Sequence, residues 1–177
     1  MQVPPIRDAC IPHDDVLDGS LSEDEFAAKL SEVAFNPEIA PDIYSESTAF
    51  FDKTYPTDGL QTLLTLLAKR YIGQYRGEFS GEDGLLSLDT VFGGGKTHSQ
   101  IAAYHFSQSP ESLADLSKYI TDEETRTEFR EVRDNLSVRT AVFEGGYVSA
   151  TNAKCSKADD NAPDTQTMWG ELAYQLA

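Results

Sequence analysis

The sequence predicts an α/β fold, and three observations carry that expectation. Leu85-Leu86-Ser87-Leu88 reads as a short strand leading into a glycine-rich turn and then a helical pattern from Lys96 to about Gln108. Val138-Arg139-Thr140-Ala141-Val142-Phe143 is a second strand candidate, rich in β-branched residues and stopped by Gly145-Gly146. Helical segments lie between the two, and strands joined by helical crossovers pair in parallel. Two strands are too few for a complete doubly wound sheet, so the pattern reads as the front part of such a domain.

Taken in order, the elements begin with a helix to about residue 36. Ser22 and Glu25 form a capping box, Leu21 and Phe26 sit at staple positions, and Phe26, Ala27, Leu30, Val33 and Ala34 share one face. Asn36-Pro37 ends it. A short helix is expected at 45–53. A longer one starts near Asp58, with Gln61 three residues on, and aligns Leu60, Leu63, Leu64, Leu67 and Tyr71 until Gly73. After Gln108, Ser109-Pro110 opens one helix to about Tyr119, and Asp122 opens another to about Asn135. Residues 150–164 look like a loop, and TMWGELAYQLA is an amphipathic helix in which Trp169 reads as a core residue. A helical N-terminal region, 1–80, and a nucleotide-binding front part, 81–177, are the expected divisions.

Composition sets limits on function. Thirty acids against fourteen bases give a net charge of −16 over 177 residues. Such a surface repels phosphate polyanions, so direct nucleic-acid binding by this segment is not expected. It also fits adaptation to high salt, where screening shrinks self-repulsion. No apolar run approaches the ~20 residues that cross a bilayer, and the start lacks the apolar stretch of a secretory signal. A cytoplasmic, membrane-free protein is expected. Cys10 and Cys155 stand far apart and belong to no metal-ligand pair.

The chemistry concentrates in TVFGGGKTH, residues 90–98. The common phosphate-loop pattern is G-x-x-x-x-G-K-[ST], and here Thr90 stands at its first glycine. Gly93, Gly94 and Gly95 let backbone N–H groups approach phosphate oxygens closely. Lys96 would reach the β- and γ-phosphates, and the Thr97 hydroxyl would ligate Mg²⁺. All lie at a helix start, where the dipole favours an anion. The expectation is a variant phosphate loop binding ATP and Mg²⁺ in a three-layer, P-loop NTPase-like α/β/α domain. His98 would touch phosphate or a neighbouring loop. His105, ~10 Å further along the same helix, reads as a packing residue. Hydrolysis also needs an acid at the end of a second strand. Glu144 is the lone candidate, Asp89 reads as a loop residue, and no catalytic residue is assigned.

Several stretches together resemble a known family: DVLDGSLSEDEFAAKL, FFDKTYPTDGLQTLL, LDTVFGGGKTHSQIAAYHF and TMWGELAYQL. In this order they are similar to the N-terminal part of the large prokaryotic P-loop, AAA-type ATPases labelled domain of unknown function 499. The FGGGKTH form, with a hydroxyl residue at the first position, accounts for Thr90. The resemblance implies ATP binding through Gly93, Gly94, Gly95, Lys96, Thr97 and His98. It also implies protein partners of the DNA-methylase, helicase or phage-defence kind. The family's acidic Walker B strand and arginine sensor lie beyond the matching region, so this chain reads as a fragment in which hydrolysis is in question. The alternative is a non-catalytic remnant or interaction module. A small kinase fits the size but lacks an arginine-rich lid.

Overall fold

A computed structural model describes residues 5, 10–12, 14–19, 28–78, 84–88, 95–110, 113, 115–145, 165 and 167–177. Every regular element among them is helical. The α helices are α1 (Asp14–Leu17), α2 (Leu30–Phe35), α3 (Asp42–Ser45), α4 (Ser47–Lys53), α5 (Asp58–Arg76), α6 (Lys96–Gln108), α7 (Glu123–Val132) and α8 (Met168–Leu176). Two single 3₁₀ turns, Leu116–Lys118 and Arg133–Asn135, flank α7.

The central helix is α5. Thr57 caps its start, its hydroxyl accepting the Leu60 N–H at 3.3 Å, so Asp58 is the first helical residue rather than the cap. Gly73 does not end it. The helix continues one turn, to Gly77 at φ +71, where the Glu78 N–H returns to the Gly73 carbonyl at 2.8 Å. Leu60, Leu64, Ala68, Tyr71 and Ile72 recur at helical spacing and are all buried.

Against that face pack α6, through Ile101, Ala102 and Phe106, and α7, through Phe129 and Val132. Three rings form the centre: Tyr71 stacks on Phe106 at 6.0 Å, and Phe106 on Phe129 at 5.0 Å. The core cluster of the described residues draws on both sides of residue 80. Leu113, Leu116, Tyr119 and Ile120 close it where a helix from Pro110 to Tyr119 was expected; among the described residues there, Pro110 and Leu116–Lys118 are 3₁₀ and none is α-helical. The helix expected at 45–53 divides at Glu46, whose extended backbone (φ −95, ψ 117) separates α3 from α4. The Ser22 capping box lies outside the described residues.

The expected α/β fold is not what forms. Among the described residues there is no strand, and both strand candidates are irregular. Leu85 and Leu86 are exposed and Leu88 is only half-buried, so that segment turns no fully apolar face inward. In 138–143 the backbone is held by side chains in place of a ladder. The Gln175 amide on α8 accepts the Val142 N–H at 2.7 Å and donates to the Val142 carbonyl at 2.9 Å. Arg139 donates to the carbonyls of Leu176 and Ala177, satisfying the end of α8. β-branched composition marks a segment able to become a strand, but a strand needs a pairing partner. No such partner is present among the described residues.

Candidate functional site

Of the predicted phosphate-site residues, Gly93 and Gly94 lie outside the described residues, as do Asp89 and Thr90. Gly95, Lys96, Thr97 and His98 are described, and they form the junction between the glycine turn and α6. Gly95 caps the helix in the left-handed region, at φ +74 and ψ 18. A side chain there would meet no atom within 4 Å, so glycine is required by backbone conformation and not by crowding. The Ser99 N–H closes the first turn on the Gly95 carbonyl at 2.8 Å.

Lys96 is exposed and Thr97 half-buried. The first turn carries no acidic residue, although thirty acids are spread over the chain. The junction thus combines a helix N-terminus, a lysine and a hydroxyl in a first turn that itself carries no carboxylate.

His98 turns inward. Its ring lies 4.6 Å from that of Phe50 and edge-on to Tyr44 at 6.5 Å. Its Nε2 is 3.0 Å from the Thr54 hydroxyl, which itself donates to the Phe50 carbonyl at 2.6 Å. With the hydroxyl proton committed, Nε2 must carry a proton and donate, leaving Nδ1 as the acceptor in the neutral ring. Burial holds the His98 imidazole below its ordinary value of 6.5.

Two turns further along α6, His105 is buried as expected for a packing residue. Its Nε2–H donates to the Tyr44 carbonyl at 2.7 Å, and its ring is 5.3 Å from Phe50. Burial depresses His105 also, opposed by the Tyr44 hydrogen bond and the charge of Glu46. Phe50 therefore sits between two histidines seven residues apart on α6.

Glu144, the lone candidate acid, serves the fold instead. Its carboxylate accepts the Ser31 N–H at 2.9 Å in the first turn of α2. Trp169 is not in the core. It is 74% exposed on α8, while Glu171 of the same helix is fully buried. The Glu171 carboxylate accepts from the Thr165 hydroxyl and from the Gln175 amide, each at 2.8 Å. The amphipathic pattern is legible in TMWGELAYQLA, but which face turns inward is not. Polar Glu171 and Gln175 face in because each finds a partner there.

Among the described residues no group of three His, Cys, Asp or Glu side chains is placed to hold a metal ion. No described helix is long and apolar enough to cross a membrane. A groove of about 550 Å³ between Tyr71, Gln74, Tyr75 and 136–139 includes none of Gly95, Lys96, Thr97 or His98.

Fold and site together define a domain, helical among the described residues, whose helix α6 starts from a left-handed glycine followed by lysine and threonine. Residues 9–177 match the family model described as the DUF499 N-terminal domain, and the chain belongs to that family. No curated protein and no solved structure matches it.

Proposed function

We propose that this domain binds ATP, with Mg²⁺, through residues Gly93–Thr97, as the nucleotide-binding segment of a DUF499 protein. The observation that supports this reading is the Gly95 junction. A glycine at positive φ delivers the chain into a 13-residue helix, with Lys96 and Thr97 in an acid-free first turn. Backbone N–H groups there suit a phosphate, Lys96 supplies charge, and the Thr97 hydroxyl suits a phosphate-bound Mg²⁺. Partners in DNA modification or phage defence belong to the same proposal and rest on the family resemblance. Hydrolysis is not assigned to any residue of this chain, since Glu144 is committed to α2.

A second reading, an interaction module, is favoured by the outward Trp169 with Met168 and Leu176 beside it on α8. The two are separated by titrating a fluorescent ATP analogue with and without Mg²⁺ into the wild type and Lys96→Ala. Loss of a charge-assisted contact of about 1.5–3 kcal/mol corresponds to roughly 10- to 150-fold weaker binding. Equal affinity of the two proteins would leave only the interaction module.

A further inference from the structure

The start of α6 is tied to the end of α4 by a contact that the nucleotide reading does not itself require. α4 ends at Thr54, a buried residue where three hydrogen bonds meet. Its hydroxyl donates to the Phe50 carbonyl, one of the last-turn carbonyls that a helix leaves unpaired. Its carbonyl accepts from the Tyr119 hydroxyl at 3.0 Å, which also reaches the Phe51 carbonyl at 2.7 Å. Its hydroxyl oxygen accepts from His98 Nε2–H.

His98 is one residue past Thr97 in the first turn of α6, so whatever fixes its imidazole fixes that turn. The ring cannot swing toward the turn's open side without leaving Phe50 and breaking the Thr54 bond together. His105 holds the same Phe50 from the next turns of α6, so the helix is clamped at two heights by α3 and α4. His98 differs from His105 in lying within a helical turn of Gly95, next to where an anion would bind.

Building on the nucleotide reading, we infer that Thr54 and His98 are positioning residues: their hydrogen bond couples anion occupancy at the start of α6, Gly95–Thr97, to the placement of α3 and α4. The coupling is reciprocal by linkage. An anion that fixes the first turn of α6 tightens the His98–Thr54 bond, and a displaced α4 weakens the anion. The route runs from the turn through His98 and Thr54 to the Phe50 carbonyl, and through the Thr54 carbonyl to Tyr119.

The test compares Mg²⁺-dependent affinity for the fluorescent ATP analogue in the full chain across Thr54→Val, His98→Asn, His98→Gln and the Thr54→Val/His98→Asn double variant. Glutamine extends its amide to about the reach of Nε2, whereas asparagine ends near the position of Nδ1. Thr54→Val and His98→Asn should each weaken binding about 5- to 20-fold, within the usual range of site-to-site coupling. The double variant should be no weaker than the singles, because both remove the same bond. His98→Gln should return affinity to within about twofold of wild type, a rescue that a role in packing alone would not give. Helix content by circular dichroism identifies any variant that does not fold, and the His98→Gln and His98→Asn pair decides the matter if Thr54→Val is such a case. Wild-type affinity in His98→Asn, with Lys96→Ala still impaired, overturns the positioning role and leaves the nucleotide site standing. Equal binding by wild type and Lys96→Ala overturns both.

Discussion

Replacing Phe50 by alanine should be among the most damaging single changes in this domain, and its size can be worked from the surroundings. The side chain is 1% exposed. Its ring is met by Tyr44 at 6.4 Å, Phe51 at 5.4 Å, His98 at 4.6 Å and His105 at 5.3 Å. Buried Phe→Ala changes cost about 3–5 kcal/mol, with the larger values where the walls cannot close on the cavity. Here the walls belong to different helices, and both histidines are pinned by hydrogen bonds, so about 4 kcal/mol is expected. With a urea dependence of about 2 kcal/mol per molar, that lowers the unfolding midpoint by roughly 2 M. Trp169→Ala is the control. It removes a larger ring, but one that is 74% exposed, and should change stability by less than about 0.5 kcal/mol. Urea unfolding followed by far-ultraviolet circular dichroism measures both without relying on the tryptophan. Comparable midpoint shifts in the two variants would refute the placement of Phe50 inside and Trp169 outside.

Three further outcomes follow from the same geometry. Gly95→Ala forces an L-residue to φ +74 and should cost about 1–2 kcal/mol of backbone strain without any steric clash, seen as a lower urea midpoint. A value near zero would mean that the turn relaxes. His98 and His105 both resist protonation in the folded state, so below their ordinary 6.5 the unfolded chain takes up protons that the native one does not. Their contribution is therefore intact above that pH and falls away as pH drops through and below it. Urea midpoints at pH 7.5 and at about pH 5.5 should differ less in a His105→Gln variant than in the wild type. Glu171→Ala takes the acceptor from the Thr165 hydroxyl and one of two acceptors from the Gln175 amide and should cost about 1–3 kcal/mol, whereas an exposed glutamate would cost almost nothing. Thermal unfolding distinguishes the two.

Much of the helical content was legible because it is local. Lys96–Gln108 was bounded by glycine before and Ser-Pro after, and the hydrophobic spacing from Leu60 to Tyr71 named the buried face of α5. What failed depends on contacts between distant segments. VRTAVF has the composition of a strand, but composition cannot say that a glutamine 33 residues later will take up the Val142 backbone. Gly73 looked like a helix end because glycine often is one. It lies buried inside α5, and Gly77 supplies the left-handed turn instead. His98 was expected at a ligand or a neighbouring loop, and its partner Thr54 lies 44 residues earlier. The signal that could have suggested this was the seven-residue interval from His98 to His105, which places both rings on one side of α6.

The Gln175 bond to Val142 has a kinetic consequence. A strand in a sheet is released only when several ladder bonds open together, whereas here one flexible side chain protects this amide. Rotation of a single amide group, with the helix behind it still wound, is enough to expose the Val142 N–H to solvent. That proton should therefore exchange by a small local fluctuation, far faster than those in the middle of α5. With the Arg139 contacts to the end of α8 opened as well, residues 139–144 can peel from α8 while the aromatic centre remains closed. The end of this segment is also what caps α2 through Glu144, so one loosening reaches two helices that share no direct bond among the described residues.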